Sequence, residues 1–158
     1  NVGESRDRES MEACIEACLT GHLVNTTTHA GSIAETLRRM AFLFPPEEQE
    51  ARSFDLMTSL NLIIWQRLVK TADGNGRVAL REYLVFDQTV RDRFLSVHPL
   101  EWGNVVKQVF SDSCSNPKLI ARTMAQSAEQ LVQRKIVRAE EVTGTLQAGI
   151  GFLGQIKL

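Results

Sequence analysis

Gly3-Glu4-Ser5-Arg6-Asp7 opens a run that closes on Thr20-Gly21-His22-Leu23-Val24-Asn25-Thr26-Thr27-Thr28-His29-Ala30. Residues 23–28 are rich in β-branched types and read as a strand bracketed by His22 and His29. Ahead of it, Asp7 is placed to cap a helix with Met11, Cys14, Ile15, Cys18 and Leu19 on one face, and Thr20-Gly21 ends that helix. Val2-Gly3-Glu4 reads as the last residues of a strand whose body lies before Asn1, so the chain is expected to be cut from a longer one. The order is strand end, helix, strand, which is an α/β unit. Ligands of open α/β sheets bind outside the carboxyl ends of the strands. Glu4 and His29 stand at two such ends, with Arg6 and Asp7 beside Glu4. His22 lies at the opposite end of the second strand, ~23 Å from His29 at ~3.3 Å per residue, so the two imidazoles cannot share one group.

Outward from this run, Ser32 and Glu35 form a capping-box pattern for a helix over 33–44, with Ile33, Leu37, Met40, Ala41 and Phe44 on its stripe and Arg38 and Arg39 off it. Pro45-Pro46 breaks that helix. Pro46 then suits the first turn of another, with Glu47, Glu48 and Glu50 at the positive end of its dipole and Phe54, Met57 and Leu60 inward. A hairpin follows: strands over 62–69 and 77–86 flank Asp73-Gly74-Asn75-Gly76, whose glycines supply positive φ. Asp73-Gly74-Asn75 does not make a calcium loop, because Arg77 and Val78 occupy ligand and glycine places and no Glu stands at the twelfth position. Helices are expected at 88–96, 99–111, 117–134 and 138–147, the third opened by Asn116-Pro117 and lined by Ile120, Met124, Ser127, Ala128 and Leu131. Glycines at 144, 149, 151 and 154 weaken helix in the tail.

At 158 residues one domain is the default, and 43% hydrophobic with 23% charged residues is the balance of a packed globular chain. A net charge of −1 supports neither bulk nucleic-acid nor membrane binding. No apolar run approaches the roughly 20 residues of a membrane span, and the opening residues carry no signal-peptide pattern. Cys14, Cys18 and Cys114 do not make an even disulfide set, and no CxxC pair exists. They are expected to be small hydrophobes, and reduced thiols fit a cytosolic home. Trp65 is expected in the core and Trp102 as a helix-packing anchor; neither has the basic or aromatic company of a base-stacking surface.

Gly-Glu-Ser-Arg-Asp, followed by Thr-Gly-His-Leu-Val and Thr-Thr-Thr-His-Ala, resembles the Walker B and His boxes of the PilT/GspE-type secretion ATPases, and within them the DotB/TraJ-like ATPases of type IVB secretion and conjugation. Trp65-Gln66-Arg67-Leu68-Val69 and Gly76-Arg77-Val78-Ala79-Leu80-Arg81-Glu82-Tyr83 follow the same pattern, so the resemblance covers residues 1 to about 96 and is weak beyond. It implies the C-terminal half of a RecA-like P-loop NTPase core over 1–86, followed by a helical C-terminal region over 87–158. It also implies ATP and Mg2+ as cofactors, a homohexamer, a cytoplasmic place peripheral to the inner membrane, and docking on membrane-associated components of a secretion complex.

By that resemblance Glu4 is the catalytic carboxylate, which orients the attacking water and meets the magnesium shell, and His29 contacts the outermost phosphate. His22 takes a structural or intersubunit role. Arg6 is either part of the network around Glu4 and sensitive to nucleotide, or a solvent-facing helix-start residue. Phosphoryl transfer needs positioned water and compensation of charge on the phosphate oxygens more than covalent help. No G-x-x-x-x-G-K-[ST] loop occurs in the chain, and none of its lysines follows a glycine. The 158 residues by themselves are therefore expected to bind ATP poorly and to show no ATPase activity. Arg91 and Arg93 stand where the pilus-retraction members carry a short motif, although Asp92-Arg93-Phe94 departs from it; the alternative is a solvated helix face. The four-cysteine zinc insertion of the type II relatives is absent, so no metal ligand is assigned there. A second reading is a non-catalytic oligomerisation or adaptor module that keeps the fold without turnover.

Overall fold

The computed structural model describes residues 2–147, with helices α1 (Arg8–Leu19), α2 (Ile33–Ala41), α3 (Pro46–Ser59), α4 (Gln88–Leu95), α5 (Trp102–Ser113), α6 (Met124–Gln133) and α7 (Ala139–Gln147). Strands β1 (Leu62–Lys70), β2 (Arg77–Val85) and β3 (Ala121–Arg122) form an antiparallel sheet in that order. The tail glycines at 149, 151 and 154 lie outside the described residues, while Gly144 falls within α7.

Local chemistry accounts for most boundaries. Asp7 accepts from Ser10 N–H at 2.8 Å and starts α1, and Gly21 turns the chain at φ +88° after it. Met11, Cys14 and Ile15 are buried, but Cys18 is half-buried and Leu19 exposed, so the apolar stripe is shorter than expected. Of the three thiols only Cys14 is buried; Cys114 is exposed. Pro45 and Pro46 open α3 as anticipated. Its buried face is Ser53, Leu56 and Met57, and Leu60 packs against the core; Met57 and Leu60 are inward as expected, whereas Phe54 points outward. Small Ser53 suits close packing, and α3 is tied to α1 by the Arg52–Glu12 and Arg8–Glu48 pairs.

The hairpin pairs Leu62 with Val85 through Lys70 with Arg77. Only Gly74 in its loop has positive φ, at +75°, and Asp73 accepts from Thr71 Oγ1 and Asn75 N–H to close the turn. The helix expected over 117–134 is instead a turn, a short strand and a helix. Asn116 accepts from Lys118 N–H in a local turn. Ile120 O then takes Val85 N–H, and Ala121 and Arg122 pair with Leu84 and Tyr83. The open edge of β2 offers backbone partners there, and satisfying them outweighs helix propensity. Helix α6 starts only at Met124, where Thr123 and Gln126 make the capping box; Ile120 is exposed.

One core runs from Met11 and Ile15 through α2 and α3 to Phe94, Trp102 and Val109. Trp102 anchors it as expected, edge-on to Phe94 at 5.9 Å with its N–H on Phe94 O. A smaller cluster, Val69, Leu80, Met124, Ala128, Val137 and Val142, holds α6 and α7 to the hairpin; half-buried Trp65 packs against both. Arg91 and Arg93 are not a free solvated face. Arg91 Nη2 donates to Leu60 O and Asn61 Oδ1, both at 2.9 Å, and Arg93 pairs with Asp112 at 2.6 Å.

Candidate functional site

Two extended segments meet in parallel. Val2 N–H donates to Asn25 O at 3.0 Å, Thr27 N–H to Gly3 O at 3.1 Å and Ser5 N–H to Thr27 O at 2.9 Å. The pairing registers as a single parallel bridge, Glu4 to Thr27, rather than the full strand expected over 23–28, and Leu23 is 80% exposed. Residues 23–28 have ladder partners only opposite Val2 to Ser5, so the segment is extended without being a sheet strand among the described residues. Buried Ser5 locks the pair to α1: its Oγ lies 2.7 Å from Thr26 Oγ1 and 3.4 Å from Cys14 Sγ.

This register carries both chain ends of interest to one place. Glu4 Oε1 lies 3.2 Å from His29 Nε2, and Glu4 Oε2 lies 2.5 Å from Arg6 Nη2. The carboxylate is four-fifths shielded, whereas the imidazole and guanidinium are 83% and 74% exposed. The Arg6 and His29 side chains are thus open to solvent at the point where the shielded acid meets them. The Arg6 hydrogen bond, with smaller help from the Arg6 charge and from His29, holds the Glu4 carboxyl below the usual glutamate range against the opposing effect of burial. A cavity of about 470 Å3 opens over the cluster, with Arg6, Thr28, His29 and Arg39 on its polar side and Met11 and Met40 beneath.

His22 is held apart from this cluster. It stands just past the α1 C-terminus, where Thr20 Oγ1 lies 3.2 Å from its Nδ1. Its side of the segment lines a broader groove with Leu23, Ile64 and Trp65.

The turn that presents His29 is fastened at several polar groups. Arg39 donates to His29 O, a role the sequence hinted at only by placing Arg39 off the apolar stripe of α2. Trp65 Nε1 donates to Ala30 O at 3.0 Å and Gly31 N–H to Glu35 Oε2 at 2.7 Å. Ser32 Oγ accepts from Glu35 N–H at 3.1 Å. The expected capping box is therefore half realised: Glu35 reaches Gly31 rather than Ser32. Ile33 N–H donates to Glu82 Oε1 at 3.4 Å.

The arrangement is a shielded carboxylate with an exposed guanidinium and an exposed imidazole at one cavity. That is a fit for a polyanion whose terminal group abuts an acid able to orient water. It is a poor direct metal centre: both Glu4 oxygens already face nitrogen atoms of Arg6 and His29, and no trio of His, Cys, Asp and Glu that could hold a metal occurs among the described residues.

Comparison with known proteins shows the family of the chain. The type II/IV secretion system protein family matches residues 1–147. A twitching motility protein of Neisseria gonorrhoeae is 37% identical over 139 residues, which are 88% of this chain and 35% of that protein. The crystal structure of the Legionella pneumophila ATPase DotB superposes with a TM-score of 0.81 at 37% identity, over 92% of this chain and 37% of that one. The pilus retraction motor PilT with bound ADP superposes with a TM-score of 0.74 at 30% identity, over 91% of this chain and 38% of that one. The chain thus spans about a third of the length of the relatives it matches.

Proposed function

The chain belongs to the type II/IV secretion system protein family, with an α/β fold like that of DotB and PilT, and from that membership we propose that it is the C-terminal part of a motor ATPase. The reaction is hydrolysis of ATP to ADP and phosphate, used to drive type IV secretion. Residues 1–86 supply the second half of the RecA-like core and residues 87–158 the helical C-terminal region. The observation that carries the reading is the 3.2 Å approach of His29 to Glu4 at the mouth of a cavity that also holds Arg6 and Arg39.

In this reading Glu4 is the catalytic residue. It is ionised at neutral pH, and its depressed pKa suits it to orienting the water that attacks the outermost phosphate more than to taking that water's proton. His29 and Arg6, now resting on Glu4, turn to the phosphate oxygens as negative charge develops there. Mg2+ would supply further charge neutralisation on the phosphates, and Glu4 would help hold its shell.

Assembly into a homohexamer fits the apolar side of the molecule. Leu62, Ile64 and Leu68 alternate along β1 and are 48%, 53% and 57% exposed, and Leu23 lies near Ile64 in the groove beside His22. His22 takes its structural or intersubunit role at that groove. No helix among the described residues is long and apolar enough to cross a membrane; by the family reading the motor works in the cytoplasm, docked on membrane-associated components of a secretion complex. The same exposed face is the one feature that favours the second reading, an oligomerisation module without turnover.

The two readings separate in a chimera in which residues 1–147 replace the matched segment of DotB. Glu4→Gln is expected to lower kcat by ~10²- to 10⁴-fold, the contribution of a positioned base, while ATP binding persists. Undiminished hydrolysis by that variant removes Glu4 from its role.

A further inference from the structure

We propose that Trp65 and Glu82, neighbours across the hairpin, are positioning residues that set where the His29 imidazole stands against Glu4 and link that position to helix α6. The two side chains face each other in the β1–β2 register. Each reaches the turn after His29 from a different side: the Trp65 indole N–H holds Ala30 O at 3.0 Å, and Glu82 Oε1 holds Ile33 N–H at 3.4 Å. They therefore grip the backbone one and four residues beyond the imidazole.

The other side of the same pair belongs to the C-terminal helices. The Met124 amide, at the first residue of α6, also pulls the Glu82 carboxyl down, so one carboxylate stands by the N-termini of two helices. A negative charge is favoured at both, since each has unsatisfied N–H groups and a positive dipole end. Arg81 N–H adds a second tie, to buried Ser127 Oγ in α6 at 3.0 Å. Trp65 packs against the main core and against the cluster that carries Met124, Ala128 and Val142. A displacement of α6 along β2 must therefore pull on Ile33 through Glu82 and on Ala30 through Trp65. Burial pushes the Glu82 carboxyl up while the two amides pull it back, as expected for an acid kept in a half-buried position by its partners.

The effect on nucleotide chemistry rests on the function proposed above; the coupling itself does not, and the test separates them. In the 158-residue chain, the nuclear Overhauser cross-peak between the His29 ring and the Glu4 side chain reads their 3.2 Å contact directly. Trp65→Phe and Glu82→Ala should each lose that cross-peak and speed amide exchange at Ile33. Glu82→Gln, which keeps a carbonyl acceptor, should retain most of it. Val69→Ala, a cavity in the C-terminal cluster that leaves both bonds intact, should lower stability without touching the cross-peak. Trp65→Phe decides the matter if Glu82→Ala fails to fold.

In the DotB chimera, Trp65→Phe should lower kcat ~10-fold or more with KM for ATP within about twofold, because misplacing a group by ~1 Å costs up to ~10²-fold. An intact cross-peak in Trp65→Phe overturns the proposal, as does its equal loss in Val69→Ala. If the cross-peak responds as expected but Glu4→Gln still hydrolyses ATP, the coupling stands and the catalytic reading falls.

Discussion

Replacing Arg91 with alanine removes a guanidinium that seals the C-terminal end of α3. Its Nη2 donates to Leu60 O and to Asn61 Oδ1, both at 2.9 Å, where the chain passes from α3 into β1. Hydrogen bonds from a charged donor are worth about 1.5–3 kcal/mol each, but both acceptors lie near the surface and regain some water when the donor leaves. Arg91 Nε is buried without an acceptor, so the substitution also removes one unsatisfied donor. The net loss works out at about 2 kcal/mol. At 158 residues and ~2.1 cal/mol/K of unfolding entropy per residue, 1 kcal/mol moves Tm by about 3 °C, so Arg91→Ala should melt about 6 °C lower. Arg91→Lys, with one ammonium for two acceptors, should lose about half as much. Arg93→Ala is the internal control: its pair with Asp112 is 33% and 50% exposed and should be worth about 0–1 kcal/mol. Urea denaturation gives all three values. A loss under about 0.5 kcal/mol for Arg91→Ala refutes the sealing role and returns Arg91 to a functional motif.

The remaining predictions concern the site and one helix end. Because the Glu4 carboxyl is depressed in the folded chain, its contribution to stability is present above the unfolded pKa and disappears as pH falls through the folded value. A carbon-detected NMR titration should place its midpoint below the usual glutamate range, and Arg6→Ala should move it upward; an unchanged midpoint contradicts the Arg6 assignment. Lys135 closes α6 at φ +56°, with Ile136 N–H returning to Leu131 O at 2.9 Å. Lys135→Gly relieves a left-handed β-carbon and should stabilise the chain by about 0.5–1 kcal/mol in thermal melts, after allowing for glycine's extra unfolded-state freedom; a lower Tm counts against that geometry.

What could be read from sequence was local. Asp7 as a cap, Pro45-Pro46 as a break and Gly74 as a turn residue each act through neighbours within a few positions. The convergence of Glu4 and His29 was legible because two strand ends flank a single helix, so the register of one short parallel pairing brings them together. Residues 117–122 were misread as helix because their conformation is fixed by the distant edge of β2, not by Asn116-Pro117. The contacts of Trp65 and Glu82 with the His29 turn were hidden for the same reason: their partners there lie 35 and 49 residues away in the chain. On α3 the spacing found Met57 and Leu60 but not the exposure of Phe54, beside which Ser53 is buried.

The account turns on a carboxylate and an imidazole meeting at the far end of a bound nucleotide. A crystal structure of the DotB chimera with a non-hydrolysable ATP analogue and magnesium measures this directly. The outermost phosphate should lie within one water of the Glu4 carboxylate, with His29 turned from Glu4 onto a phosphate oxygen. A nucleotide seated with that phosphate away from the Glu4–His29 cavity contradicts the account.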